Sequence, residues 1–301
     1  EVLSNVVETL IVKITTDAKA FVEGINNVSK QLNETGKNIT KFITLPVAGL
    51  TTAIAKIGSD FEKEMTKVKT LSGATGEEFE KLNNKAKELG ETTKFTSSEV
   101  AEGFKYLAIS GWDTNSMLEG ITGVLNLAAA SGENLGLVAD IVSDSMTAFG
   151  LKASESARFA DVLASTVTNA NTDVGLMGET FKYVAPVAGA MGYQIEDTAK
   201  AIALMGNAGI KGSQAGTSLR SILTRLASPT KQIETAMKEL GISILDSNGN
   251  IKPLDVTMQE LRQTFGNLTD AQKIQMASVI AGQEAMSGLL AIVNASESDY
   301  N

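Results

Sequence analysis

The chain has 301 residues, 43% of them hydrophobic and 20% charged, with a formal net charge of −9. It contains no histidine and no cysteine. That excludes Ser-His-Asp and Cys-His nucleophile chemistry, thiolate and imidazole metal sites, iron–sulfur clusters and disulfides.

The acidity is uneven. Residues 101–200 hold 5 basic and 12 acidic groups, whereas the first hundred hold 13 and 14. No basic face of the kind a nucleic-acid binder carries stands out. The lysines from Lys30 to Lys69 sit among glutamates and read as a solvated helix surface. No secretory signal is visible. The chain opens on Glu1 and stops at Asn301 within a helical pattern, so a fragment of something longer is expected.

Residues 9–15 (TLIVKIT) read as a short strand. A helix is expected from about Asp17, with Phe21, Ile25, Val28 and Leu32 on one stripe. Pro46 is expected to interrupt the next helical run, which resumes through Phe61, Met65 and Val68. Thr75 with Glu78, and Thr96 with Glu99, have capping-box spacing. Helices are predicted from there to about Gly90 and from about Ser97 to Ile109. Gly111 should end the second, and Asp113 or Thr114 should cap its successor, which runs to near Gly132. The stripe Leu137, Val138, Ile141, Val142, Met146 and Phe149 predicts a helix ended by Gly150. Further helices are predicted over about 154–169, 174–191, 195–206 and 214–227. Ser228–Pro229 reads as N-cap and first turn of another, which Gly241 ends. Residues 242–253 change period and read as a small β-hairpin around Asn248–Gly249. Helices resume from about Asp255, with Thr269 or Asp270 capping after a break near Asn267.

The fold class is therefore mainly α: a multi-helix module of short helices, one N-terminal strand and one hairpin. Three parts are expected. They are 1–72 (strand and long helices), 73–230 (helical core) and 231–301 (hairpin and C-terminal helices). A shift of 77 residues lays Glu102 on Glu179, Phe104-Lys105-Tyr106 on Phe181-Lys182-Tyr183, Leu127 on Leu204 and Gly132 on Gly209. This points to an internal duplication of 102–132 in 179–209.

Few residues carry chemistry. Asp140 and Asp144 share a helical face and have the spacing of a metal or acid/base pair, but no further ligand lies near them in sequence. Residues 246–250 (DSNGN) start like a calcium loop and then place Ile251 and Thr257 where Gly and Glu are required. In 206–218 (GNAGIKGSQAGTS), Lys211 precedes Gly212, the reverse of a phosphate-binding loop, so the stretch reads as a flexible connector. Trp112 is a candidate interface residue or a local core plug. No catalytic, cofactor-binding or metal-ligating residue is assigned, and the chain is read as no enzyme.

The order of several words adds to this reading. The run from Ile39 to Leu82 contains Pro46 in a Thr-Leu-Pro helix, then Phe61, Glu62, Met65 and Val68. Leu89-Gly90, Phe95 after Thr93-Lys94, and Gly111 closing Leu-Ala-Ile-Ser-Gly follow. Gly216, Thr217, Leu219 and Arg220 form an Ala-Gly-Thr-x-Leu-Arg word. In this order they resemble the core of phage tail tape measure proteins, over roughly residues 40–295.

The resemblance implies a structural virion protein of a phage, prophage or contractile injection particle. Such a protein sets tail tube length, takes part in tail assembly and is released during genome ejection. Implied partners are tail tube and baseplate or tail-tip proteins, tail assembly chaperones and other copies of the chain. The implied location is the tail tube lumen or baseplate, and the host cytoplasm during assembly. No cofactor and no specific nucleic-acid site are implied.

A helical ruler extends ~1.5 Å per residue. A segment so punctuated by glycines and caps is expected to be a folded module, with the length-setting helices outside it. Two alternatives stay open. The Gly/Ala-rich, charge-free runs 42–55 and 183–195 suit a membrane-active segment contacting the host envelope. The acidic middle third suits a Glu-dependent murein hydrolase.

Overall fold

The computed structural model describes the backbone of residues 40–300 and the side chains of residues 56–300. The expected strand at 9–15 and the helix from Asp17 lie outside the described residues. The chain divides into two compact units, one ending at Ile121 and the other beginning at Thr122.

The first unit is built on α1 (Thr40–Ser72), α2 (Glu77–Thr92) and α3 (Ser97–Ile109), with the first part of α4 (Thr114–Ser131). Pro46 does not interrupt α1, which runs unbroken for 33 residues. An interior proline removes one amide donor and can bend a helix, but the flanking turns keep their bonds. Phe61, Met65 and Val68 of α1 are buried, as are Leu82, Ala86 and Leu89 of α2 and Val100, Phe104 and Leu107 of α3. Thr96 caps α3 with a reciprocal box: its side chain accepts from the Glu99 amide, and Glu99 accepts from the Thr96 amide at 2.7 Å. The box expected at Thr75 is absent. Gly76, at φ 53°, is the N-cap of α2 and no side chain caps it.

The second unit holds the rest of α4, then α5 (Leu135–Phe149), α6 (Ser156–Asn169), α7 (Val174–Ala190), α8 (Ile195–Asn207) and α9 (Gly212–Ala227). After these come α10 (Lys231–Leu240), α11 (Leu254–Gly266), α12 (Asp270–Ala281), α13 (Met286–Val293) and the short α14 (Glu297–Tyr300). Helix α7 lies between α5 and α9, close to both. A Cβ on Gly178 would fall 2.6 Å from Ile141 Cδ1, and one on Gly216 would fall 2.5 Å from the Thr180 oxygen. Phe181 anchors the core, with Phe149 edge-on at 5.7 Å and Phe159 at 6.1 Å between ring centroids.

One helix terminator recurs through both units. A glycine with left-handed φ follows the helix, and the next amide donates five residues back into the last turn. The bonds run from Trp112 to Leu107, Leu151 to Met146, Tyr193 to Ala188, Ile210 to Met205 and Ile242 to Met237, at 2.8–3.1 Å. In each case the residue after the glycine is a large apolar or aromatic one. The expected stops at Gly111, Gly150 and Gly241 are of this type.

The expected hairpin is not formed. Among the described residues there is no strand, only one isolated antiparallel bridge, Leu245 to Ile251. The Asp246 carboxylate accepts the Asn248 and Asn250 amides at 2.8 and 2.9 Å, so a side chain takes backbone donors within the loop. The connector expected at 206–218 is also mostly helix: α9 begins at Gly212. Helix α10 starts later than Ser228–Pro229 predicts, and Thr230 is its cap.

Segments 102–132 and 179–209 each contain a helix, a turn and a second helix. The first helices begin 77 residues apart, at Ser97 and Val174, and the closing glycines Gly132 and Gly209 keep that spacing. The central turn slips by four residues, because α7 is 17 residues long and α3 is 13.

Candidate functional site

The motif residues divide between packing and surface. Phe61, Met65, Val68, Leu89 and Leu219 are core, and Glu62, Thr217 and Arg220 are exposed. Gly90 and Gly216 sit where a neighbouring backbone comes close. A Cβ on Gly90 would meet the Ser97 amide nitrogen at 2.6 Å, and one on Gly216 would meet Tyr183 Cβ at 2.9 Å. Phe95 is half-buried, with Lys94 Nζ 5.2 Å from its ring centroid. Trp112 follows Gly111 and folds its ring over Gly120 of α4, leaving it half-buried. Lys211 donates to Asn171 Oδ1 at 2.6 Å and thereby ties the α9 entry to the α6–α7 turn.

Asp140 and Asp144 line a cleft of about 240 Å³ between α5 and α7, with Ile141, Phe181, Lys182 and Pro186. Burial and then the Asp140 charge push the Asp144 carboxyl above its ordinary value, and Lys182 opposes the rise. Lys182 itself pairs with Glu179 at 2.7 Å. No group of three or more potential metal-ligating side chains exists among the described residues. The pair thus lacks the ligand number that a dedicated cation site needs.

A second polar cluster was not visible in the sequence. Tyr300 is buried, and its hydroxyl donates to Asp255 Oδ1 at 3.0 Å. Lys200 donates to the same oxygen at 2.9 Å. Arg262 donates to the Ile292 and Ala295 carbonyls at 3.1 and 2.7 Å, closing the C-terminal end of α13. Arg225 does the same for α12, at 2.9 Å to both Ile280 and Val279. The partners lie 30–55 residues apart, so no local pattern could reveal them.

Part of the middle third's acidity works on helix ends. Asp113 accepts the Ser116 amide and Asp173 the Leu176 amide, capping α4 and α7. Asp197 accepts the Asp255 amide at 3.2 Å in the first turn of α11. Glu196 forms a two-bond pair with Arg158 at 2.7 Å, and this guanidinium holds its carboxyl below the ordinary range. Carboxylates at helix N-termini oppose the positive end of the helix dipole. These four carboxylates place part of the charge excess at helix ends.

These are the features of a packed structural module, and comparison with known proteins agrees. The sequence profile of the phage-related minor tail proteins matches residues 83–282. The chain belongs to that family. It is 39% identical over 268 residues to a tape measure protein of Pneumococcus phage Dp-1, covering 89% of this chain and 23% of the relative. It is 29% identical over 283 residues to a probable tape measure protein of Escherichia phage P2, covering 89% of this chain and 35% of the relative. A probable tape measure protein of Clostridium phage phiCD119 is 28% identical over 182 residues, 57% of this chain and 19% of the relative. The chain thus spans about a quarter to a third of the length of the first two relatives. No solved structure matches.

The matched part of this minor tail protein begins within α2 and ends at Gly282, the residue after α12. It takes in the α5–α7–α9 layer whole. No described helix of the family member is long and apolar enough to cross a membrane. The charge-free run 183–195 is divided between the end of α7, a turn and the start of α8.

Proposed function

We propose that this chain is the folded module of a tail tape measure protein, acting in tail assembly and tube-length control and released during genome ejection. The observation that carries the reading is the 39% identity to a tape measure protein across 89% of the chain. The fold supports a division of labour. Residues 97–227 form seven separate α-helices, not one rod. Length is set by chain extending along a tube, and chain folded back into short packed helices contributes little extension per residue. The length-setting role belongs to other parts of the longer protein, and this module supplies an assembly point.

In this reading the module sits in the tail tube lumen or baseplate after assembly, and in the host cytoplasm before it. It contacts tail tube, baseplate or tail-tip proteins, tail assembly chaperones and further copies of itself. Trp112, half-buried against Gly120, offers its open ring face to such contacts.

Electron microscopy of tails tests the division of labour. The full-length protein containing this chain would carry a 30-residue helical insertion (about 45 Å if extended), placed either at the exposed Asn248–Gly249 turn or in a long helix outside the module. Tails of unchanged length from the first insertion and longer tails from the second are expected. Lengthening by the insertion at Asn248–Gly249 would overturn the proposal.

A further inference from the structure

The chain has four arginines, and three spend their guanidinium on the protein. Arg158 pairs with Glu196, Arg225 closes the end of α12, and Arg262 closes the end of α13. Arg220 is the exception. Among the described residues its guanidinium makes no hydrogen bond and no ion pair. It lies over the ring of Tyr183, with Cζ 5.8 Å from the centroid.

The setting is rigid. Tyr183 is on α7 and Arg220 on α9, and these helices touch backbone to side chain at Gly216, one turn before Arg220. Tyr183 is 37% exposed, and Arg220 and Thr217 face outward beside it. A ring and a guanidinium are thus presented to solvent on regular helices, not on a loop.

The charge pattern singles out the same place. Between Asp197 and Glu234 there is no acidic residue, yet there are five basic ones: Lys200, Lys211, Arg220, Arg225 and Lys231. This occurs in a chain with net charge −9. Lys200 is bound to Asp255, Lys211 to Asn171 and Arg225 to backbone carbonyls. Lys231 lies on α10 and Lys182 of α7 pairs with Glu179, so on α7 and α9 the uncommitted positive charge is that of Arg220.

An arginine resting on an aromatic ring keeps its donor edge free and has already lost side-chain freedom. Pairing it with a planar acceptor then costs less ordering. Tyr and Arg are also the side chains that most often dominate protein interfaces. One free guanidinium matches one carboxylate in a two-bond fork. A nucleic acid would call for several phosphate contacts, and the face lacks the cations for them.

We propose that Tyr183 and Arg220 form a docking site for an acidic segment of a partner protein, with Arg220 receiving an Asp or Glu carboxylate and Tyr183 covering the adjoining chain. The assignment rests on this geometry and stands apart from the length-setting reading.

The test uses the full 301-residue chain and a fluorescein-labelled octaglutamate peptide, followed by anisotropy and by NMR of the arginine Nε–H signals. Binding that weakens with salt and moves the Arg220 signal more than the other three is expected. Arg220→Gln should bind about tenfold more weakly and Tyr183→Leu about threefold. Arg220→Lys should recover only part of the loss, since it keeps the charge without the fork. Melting temperatures of the variants check that they fold, and the NMR signal of the unmutated chain gives a reading that needs no variant. Absence of peptide binding, or equal binding by Arg220→Gln, would overturn the proposal. Tighter Arg220-dependent binding of an oligothymidylate would reassign the face to nucleic acid. Self-association lost in Arg220→Gln, without peptide binding, would reassign it to a second copy of the chain.

Discussion

Tyr300 donates its hydroxyl to Asp255 Oδ1 at 3.0 Å, while Lys200 Nζ lies 3.7 Å and Arg262 Cζ 4.2 Å from the centroid of its ring. One side chain thereby ties α14 to α8 and α11. Tyr300→Phe removes the hydroxyl and keeps the cation contacts, and is expected to cost about 1 kcal/mol of unfolding free energy. Tyr300→Ala also loses the buried ring and is expected to cost about 3 kcal/mol. Urea unfolding of the two variants checks the order and the gap. Equal losses would show that the ring contacts contribute nothing.

The same cluster makes stability pH-dependent. Burial alone would raise the Asp255 carboxyl, but the Lys200 ammonium and the Tyr300 hydroxyl outweigh it and hold the group below its ordinary value. A carboxyl lowered in the folded state contributes stability that is complete above its unfolded value of about 4 and is lost as pH falls through the folded value. Unfolding free energy should therefore drop as pH is lowered below about 4. Asp255→Asn should flatten that part of the profile and lower stability at neutral pH. A profile in Asp255→Asn parallel to the unmutated one below pH ~4 would contradict this.

Arg225 donates through Nε and Nη2 to two carbonyls of the last turn of α12, and Ser221 Oγ donates to the third, Ala281, at 3.2 Å. Without these donors the carbonyls would be left short of partners in a part-buried position. Arg225→Met preserves the stem and should cost about 2–3 kcal/mol. Arg225→Lys should recover less than half, because a single ammonium cannot reach both carbonyls in the fork geometry. Thermal unfolding distinguishes this from a role in charge alone, which Lys would restore in full.

What the sequence revealed and what it hid divide along a physical line. Helix ends were readable wherever the signal was local: a glycine followed by a large apolar residue at Gly111, Gly150 and Gly241, and the Thr96–Glu99 box. Pro46 misled, because one lost amide does not stop a 33-residue helix. Pro186 is likewise accommodated inside α7, where the helical prediction had simply run through it. Asn248–Gly249 suggested a hairpin, but a turn signal specifies only the turn, and here the Asp246 carboxylate takes the turn amides while the arms pair at a single bridge, Leu245 to Ile251. The glycine-rich stretch 206–218, read as a flexible connector, instead places Gly216 where α9 approaches α7. The clusters around Asp255, Arg225 and Arg220 were illegible, since each joins residues dozens of positions apart with no periodicity linking them.

The two kinds of helical glycine give a direct contrast. A Cβ at Gly216 would lie 2.5 Å from the Thr180 oxygen and 3.1 Å from its Cα, atoms of a backbone that cannot yield cheaply. A Cβ at Gly266, at the end of α11, would meet nothing within 4 Å. Gly216→Ala should therefore destabilise by about 2 kcal/mol through forced separation of α7 and α9. Gly266→Ala should be neutral or stabilise by about 0.5 kcal/mol through a less flexible unfolded chain. Paired denaturation curves at constant m-value would check both, and similar effects at the two positions would refute the close approach at Gly216.

Thr96 and Thr75 stand at equal spacing from a glutamate, yet only Thr96 caps. Its hydroxyl accepts the Glu99 amide at 3.2 Å, while Thr75 contributes only its carbonyl, to the Glu78 amide at 3.2 Å. At α2 the cap position has passed to Gly76, whose φ of 53° carries the chain into the helix with no side chain over the free amides. Thr96→Ala should thus lower stability by about 1 kcal/mol, with Glu99→Ala adding little more, because the two halves of the box act together. Thr75→Ala should change stability by less than about 0.5 kcal/mol. A loss at Thr75 matching that at Thr96 would mean that the α2 entry in solution uses the hydroxyl after all. With the geometry described here, Gly76→Ser should weaken α2, because a backbone φ of 53° strains a residue that carries a Cβ.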